Sequence, residues 1–157
     1  GDLACSHGRV GKGVPYEESS RIPLIVRDPY GERGQVTDFM ASGVDIYPTL
    51  LDWARLPPEP SNDGSSFAPT LRGERQDVRR PVFSEMGQWC MVRQGAYKLN
   101  AAKPDGGAGP LAYTELFDLE ADPYEMTNLI DAPDLAEVRV LISALLDEWW
   151  QRVTPAS

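Results

Sequence analysis

The feature that most constrains this chain is a glycine-dense loop that leads into a short apolar run. The first 13 residues contain four glycines and a single lysine, Lys12. Glycine lets the backbone bend sharply and approach a small ligand, and a lysine ammonium suits an anion. The run from Ile22 to Val26 is continuously apolar, which is typical of a strand covered on both faces in a parallel sheet. The order of these features predicts an anion site at the edge of an α/β sheet.

The charge of the chain limits the classes of partner. Its 157 residues include 15 Lys and Arg against 24 Asp and Glu, a formal net charge of -9. Binding to nucleic acid or to an anionic membrane requires a basic surface, so we expect neither partner. No apolar stretch approaches the length of about 18 residues that indicates a membrane-spanning helix. A small anionic substrate is compatible with this composition, because the local charge of one cleft can oppose the net charge.

Hydrophobic periodicity predicts a helix from Asp45 that ends before Pro57, with Asp45 as its N-cap. Pro48 then falls in the first turn, where its missing N–H does little harm. Further along, the pattern predicts a short helix at 66–72 and strands at 81–86, 89–93, 96–100 and 114–119. The strands at 89–93 and 96–100 form an antiparallel hairpin in this prediction.

A final helix is predicted to begin at Asp131 as its cap. Its apolar residues recur at helical spacing and form one stripe: Leu135, Val138, Ile142, Leu145 and Trp149. We expect this stripe to cover the antiparallel sheet.

The glycine loop and the apolar run together resemble a known family. From Gly11 to Arg27 the chain reads G-K-G-V-P-Y-E-E-S-S-R-I-P-L-I-V-R. This segment is similar to the one that follows the second metal-binding motif of type I sulfatases, enzymes of the alkaline phosphatase superfamily. The later stretches V-D-I-Y-P-T-L-L-D-W-A, D-G-S-S-F and E-L-F-D-L-E-A-D-P-Y-E-M-T-N-L also resemble landmarks of that family. The resemblance therefore covers nearly the whole chain.

The resemblance implies an α/β fold. The chain would be the C-terminal part of an alkaline-phosphatase-like sandwich, with a small antiparallel sheet subdomain packed by a long C-terminal helix. Residues 1–78 would be the C-terminal end of the sulfatase catalytic domain, and 79–157 the subdomain. Gly1 matches the glycine of the family's Asp-His-Gly motif, so the metal ligands are expected just before Gly1 and none within this fragment. The missing N-terminal part of the same enzyme is therefore an expected partner.

The activity implied by the resemblance is the calcium-dependent hydrolysis of a sulfate ester to an alcohol and sulfate. The family's nucleophile is a formylglycine made from the cysteine of a C-x-P-S-R motif, and neither Cys5 nor Cys90 lies in such a motif. Their spacing also fits no metal pair or CxxC motif. We therefore expect both Ca²⁺ and the formylglycine to belong to residues outside this fragment, which alone should be inactive. The compartment is not indicated.

Three residues of the loop are candidates for the site. Lys12 falls on the family's sulfate-contacting lysine, which implies both a catalytic and a substrate-binding role. His7 is the only histidine and matches no metal ligand of the family; it could orient the loop, touch the substrate or act as an acid. Tyr16 is a candidate for lining the substrate pocket. Asp2 is expected to cap the loop, and the acidic pair at 17–18 to cap or face solvent.

Two alternatives stay open at this point. A phosphodiesterase or phosphonate monoester hydrolase of the same superfamily shares the loop, and a non-catalytic binding module could retain the fold without the chemistry. Comparing the turnover of matched sulfate and phosphate esters would distinguish the first alternative from a sulfatase. Missing acidic ligands or a missing nucleophile in the preceding sequence would favour the second.

Overall fold

The structure is a computed structural model that describes residues 1–28, 31, 34–74, 81–105 and 109–154. The chain divides into two compact units: Gly1–Pro23 together with Phe83–Ser157, and Leu24–Val82. The predicted division into 1–78 and 79–157 concerns the domains of a longer enzyme and stays a prediction.

A four-stranded sheet organises the first unit. Its strands are β3 (Pro81–Met86), β4 (Trp89–Gln94), β5 (Tyr97–Ala102) and β6 (Ala112–Asp118), adjacent in chain order. β5 is antiparallel to both β4 and β6. Gly95 joins β4 to β5 with φ 58°, a left-handed conformation that glycine adopts without steric cost. The predicted hairpin and the predicted strands at 81–86 and 114–119 are confirmed.

The predicted C-terminal helix is confirmed as α4 (Ala136–Val153), and it covers the apolar face of the sheet. The core between them contains Cys90, Val92, Leu99, Ala101, Leu116, Ile142, Leu146 and Trp150. The predicted cap at Asp131 is wrong: a 3-10 turn over Pro133–Leu135 precedes α4, because the fixed φ of Pro133 favours a helical turn there. No helix in the described part of the chain is long and apolar enough to cross a membrane.

The opposite face of the sheet carries the buried polar groups beside Met91 and Phe117, and it is also covered. Along β5, Lys98 and Asn100 alternate with Leu99 and Ala101, and all four are at most 1% exposed. Successive side chains of a strand point to opposite faces, so β5 presents its polar pair away from α4. The N-terminal segment covers this polar face and contains β1 (Leu3–Ala4), its antiparallel partner β2 (Val10–Gly11) and the short α1 (Glu17–Ser20).

The predicted buried strand at 22–26 is wrong. The chain has no regular secondary structure from 21 to 28, and Ile22, Leu24 and Ile25 are 61%, 46% and 93% exposed. A parallel strand owes its hydrogen bonds and its burial to neighbouring strands and covering layers. Among the described residues no strand pairs with this segment, so its apolar character alone does not make it a strand.

The second unit contains α2 (Ile46–Trp53), the predicted helix after Asp45, and α3 (Ala68–Leu71), the predicted short helix. A 3-10 turn over Gly43–Asp45 precedes α2. The Asp45 carboxylate does not cap α2; it accepts hydrogen bonds from the backbone N–H of Ser42 at 2.7 Å and of Ser65 at 2.8 Å. Asp45 therefore ties the loop before α3 to the start of α2.

We expect Leu146→Ala to lower the free energy of unfolding by about 2–5 kcal/mol, because removal of the leucine side chain leaves a cavity between α4 and the sheet. Leu146 is fully buried, whereas Leu141 on the same helix is 70% exposed. Leu141→Ala is the matched control and should change stability by about 0.5 kcal/mol or less. Urea denaturation followed by tryptophan fluorescence measures both, and equal losses would mean that the core does not lie where the structure places it.

Candidate functional site

Lys12 lies between two glycines whose backbone is left-handed. Gly11 has φ 86° and Gly13 has φ 99°, values that a residue with a side chain adopts only with strain. The Lys12 Nζ lies 3.1 Å from Asp2 Oδ1, and both side chains are 62% exposed. Asp2 thus pairs with the lysine rather than capping the loop. An exposed ion pair of this kind is weak, so the charge of Lys12 is accessible to another anion.

His7 and Tyr16 form a stacked pair. Their ring centroids are 3.8 Å apart and their planes differ by 2°. His7 adopts φ 53°, and its buried Nε2 has no hydrogen-bond partner among the described residues. The structure therefore brings two of the three predicted site residues together. In the described part of the chain no hydrogen bond or ion pair joins Lys12 to either ring.

The Tyr16 hydroxyl is already engaged. It donates a hydrogen bond to Glu115 Oε1 at 2.7 Å, and Glu115 Oε2 accepts another from Asn100 Nδ2 at 3.0 Å. Burial, followed by the hydrogen bond to Glu115, raises the pKa of Tyr16 to about 12. The phenol therefore stays protonated at neutral pH and holds the loop against β6. The role of Tyr16 in substrate binding stays a prediction.

The expectation that Glu17 caps or faces solvent is wrong. Its side chain is only 14% exposed, with Oε1 3.0 Å from Lys98 Nζ and Oε2 3.0 Å from Arg93 Nη1. Lys98 and Arg93 lie opposite each other in the β4–β5 register, where like charges repel. One carboxylate between them removes that repulsion. The alternation of polar and apolar residues in β5 indicates that Lys98 lies on a polar face. Nothing in the local sequence identifies Glu17, 81 residues away, as the partner of Lys98.

Glu125 completes this arrangement. Its Oε1 lies 2.9 Å from Lys98 Nζ, and its Oε2 accepts a hydrogen bond from the Glu17 N–H at 2.6 Å. Glu125 is 2% exposed, and burial raises the pKa of its carboxyl while Lys98 opposes that shift. We call Glu17, Arg93, Lys98 and Glu125 the ion cluster; its two cations and two carboxylates balance.

Neither cysteine is placed for catalysis or a disulfide. Both are free; Cys5 is exposed, and Cys90 is buried in the core. Burial raises the pKa of the Cys90 thiol to about 12, so it stays protonated and unreactive.

Among the described residues no group of three or more His, Cys, Asp or Glu could hold a metal ion. Calcium takes about six to eight oxygen ligands, largely from carboxylates. The described residues do not fit a calcium ion. Its ligands and the formylglycine stay expectations for residues outside this chain.

Sequence comparison decides the family. A family model described as "N-sulphoglucosamine sulphohydrolase, C-terminal" matches residues 5–152. The chain belongs to this family. Arylsulfatase K of Gallus gallus is 37% identical over 142 residues, which is 82% of this chain and 26% of that protein. The resemblance to sulfatases of the alkaline phosphatase superfamily is confirmed.

Two solved structures share the fold. BT4656, determined in complex with its substrate D-glucosamine-2-N,6-O-disulfate, matches with a TM-score of 0.84 and 26% identity, covering 98% of this chain and 33% of that one. The phosphonate monoester hydrolase of Agrobacterium radiobacter matches with a TM-score of 0.74 and 27% identity, covering 92% and 32%. The chain spans about a quarter to a third of the length of the relatives it matches.

Tyr16 should make the stability of the chain fall as the pH rises from 10 towards 12. In the unfolded chain the phenol ionises near 10.0, whereas its pKa in the fold is about 12, so ionisation first favours the unfolded state. Tyr16→Phe removes this contribution and should reduce the fall in urea midpoint over that range. An identical pH dependence in both proteins would mean that the contact with Glu115 does not hold the phenol neutral.

Proposed function

We propose that this chain is part of an enzyme that hydrolyses sulfate esters to an alcohol and sulfate, and that it contributes Lys12 to binding the sulfate group. The observation that carries the proposal is the accessible ammonium of Lys12. It lies between two left-handed glycines, in a chain that belongs to a sulfatase family. A glycine on each side leaves room for a bulky tetrahedral anion to approach the lysine.

Lys12 can exchange partners at little cost. An exposed ion pair contributes about 0–1 kcal/mol, so a sulfate oxygen can replace the Asp2 carboxylate, which lies 3.1 Å from the ammonium. As the ester bond breaks, negative charge builds on the oxygen of the departing alcohol, and a cation already in place beside the sulfate group stabilises that charge without reorganisation. In this proposal Lys12 both binds the sulfate and lowers the barrier.

His7 is the second group that we propose for the reaction. Its buried Nε2 lacks a partner among the described residues, and its ring is held flat against Tyr16. Contact with the substrate requires this nitrogen to become exposed; the imidazole could then donate a hydrogen bond to the substrate or pass a proton to the departing alkoxide. Tyr16 would line the same side of the pocket with its ring.

Calcium and the formylglycine enter this proposal only as components from residues outside this chain. When bound, calcium would polarise the sulfate oxygens. The described residues do not fit that ion, and the roles of Lys12 and His7 require no contact with it.

For the substrate we propose a sulfated sugar. The support comes from BT4656, whose structure holds D-glucosamine-2-N,6-O-disulfate as its substrate and which matches 98% of this chain with a TM-score of 0.84. The family description, which names an N-sulphoglucosamine sulphohydrolase, points to the same class. Release of inorganic sulfate from sulfated glucosamines, compared with aryl sulfates, tests the preference.

Phosphonate monoester hydrolysis is the second candidate, because a phosphonate monoester hydrolase shares the fold with 27% identity. Lysine serves a phosphonate oxygen as well as a sulfate oxygen. Comparing kcat/KM for a matched aryl sulfate and aryl phosphonate separates the two. Absence of turnover on both would favour a non-catalytic module.

Lys12→Ala in the intact enzyme should lower kcat/KM for a sulfate ester by about a hundredfold or more, as expected for loss of a preorganised charge at the reacting group. Arg9→Ala is the matched control, since it removes an exposed cation from the same loop. It should leave turnover close to that of the unmodified enzyme. Equal losses of kcat/KM in the two variants would mean that Lys12 acts only through the overall charge of the loop and does not bind the sulfate group.

The 157-residue chain by itself should hydrolyse no sulfate ester and bind no calcium at micromolar concentration. It offers no described cluster of metal ligands, and its buried thiol is held protonated. Calorimetric titration with Ca²⁺ and an aryl sulfate assay on the purified chain measure the two properties. Tight calcium binding together with turnover would place the catalytic centre within this chain and refute the proposed division of labour.

A further inference from the structure

Three contacts fasten the segment that follows Lys12 to the polar face of the sheet. Trp89 Nε1 donates to the Gly13 carbonyl oxygen at 2.7 Å. The Tyr16 hydroxyl donates to Glu115 at 2.7 Å, and Lys98 Nζ lies 3.0 Å from the Glu17 carboxylate. The sheet residues Trp89, Lys98 and Glu115 come from β4, β5 and β6 in turn. We call these three residues the loop clamp.

The local sequence cannot by itself hold Lys12 in place. The flanking glycines have the widest conformational freedom of any residue, and the ion pair of Lys12 with Asp2 is exposed and hence weak. The Gly13 carbonyl is only one residue beyond Lys12, so its hydrogen bond to Trp89 limits how far the lysine backbone can move. The anchors at Tyr16 and Glu17 hold the following residues.

The buried ion pair of the loop clamp is better suited to fixing the position of the loop than to adding stability. Lys98 is fully buried with two carboxylate partners. Buried ion pairs often add little net stability relative to apolar residues of similar size, because desolvation offsets the attraction. They do require particular partners at particular distances. The apolar core lies on the other face, between the sheet and α4. Contacts between the sheet and the loop therefore do not disturb the packing of that core.

We propose that Trp89, Lys98 and Glu115 are positioning residues that act through Lys12 by holding the backbone of residues 13–17 against the sheet. This inference rests on the proposed role of Lys12 in sulfate-ester hydrolysis. The loop clamp touches no substrate in this proposal. It sets the position of the lysine ammonium before the substrate arrives, which matters because small displacements of a catalytic group are costly in rate.

Trp89→Phe is the sharpest test, since it deletes the N–H donor and keeps an aromatic ring. In the intact enzyme we expect kcat/KM for the sulfate ester to fall about three- to tenfold, the effect of losing one hydrogen bond, with little change in Tm. The matched control is Trp149→Phe, because Trp149 stacks on Phe83 at 5.2 Å on the α4 side of the sheet. It should retain the unmodified kcat/KM.

A double-mutant cycle separates positioning from a general structural role. If Trp89 acts through Lys12, Trp89→Phe should have no further effect on turnover in the Lys12→Ala background. The same cycle with Glu115→Gln, which preserves side-chain shape, gives a second variant. Full additivity in both cycles, or a loss in Trp149→Phe equal to that in Trp89→Phe, would overturn the proposal.

Hydrogen exchange gives a readout that does not depend on activity. Trp89→Phe should speed exchange of the Glu17 amide, whose N–H donates to Glu125, at least several-fold, while Trp149→Phe should not, because exchange reports local opening. Unchanged exchange would overturn the proposal. If the unmodified enzyme hydrolyses no sulfate ester, the proposed function fails, and the exchange data still decide whether Trp89 holds the loop.

Discussion

The buried ammonium of Lys98 is the interaction on which the polar side of this molecule depends. It lies between the carboxylates of Glu17 and Glu125, at 3.0 Å and 2.9 Å. Removing either partner would leave a buried charge poorly compensated, which is far more destabilising than the pair is stabilising. The same Glu17 carboxylate also binds Arg93. Segments that are distant along the chain are thereby held in one arrangement.

The two faces of the sheet have different roles: one forms the apolar core, and the other holds the N-terminal segment in position. Towards α4 the strands present apolar side chains that form the core, and burial of apolar surface contributes most of the folding free energy. Away from α4 they present charged and amide groups beside the apolar Met91 and Phe117, and the polar groups bind the N-terminal segment through directed contacts. A sheet built in this way can hold the N-terminal loop on one side without placing polar groups in the core on the other.

The candidate site follows from this division. Lys12 extends from a short hairpin into solvent, while Tyr16, four residues later, is fastened to β6 and stacked on His7. The cation is thus accessible although the backbone near it is anchored. The family match covers the segment that contains Lys12. It does not account for Trp89, whose indole N–H holds the Gly13 carbonyl; that contact is visible only in three dimensions.

The sequence alone determined the elements whose signals are local. Alternation and turn glycines specify the β4–β5 hairpin, the 3.6-residue period specifies α4, and the glycine loop resembles the family to which the chain belongs. Tertiary structure decided everything that depends on distant partners. The segment at 22–26 is apolar yet no strand, because no described strand pairs with it, and Glu17 is nearly buried because a lysine 81 residues away faces it. Hydrogen bonding between strands and the pairing of buried charges are properties of neighbours in space, and the order of residues along one segment does not contain them.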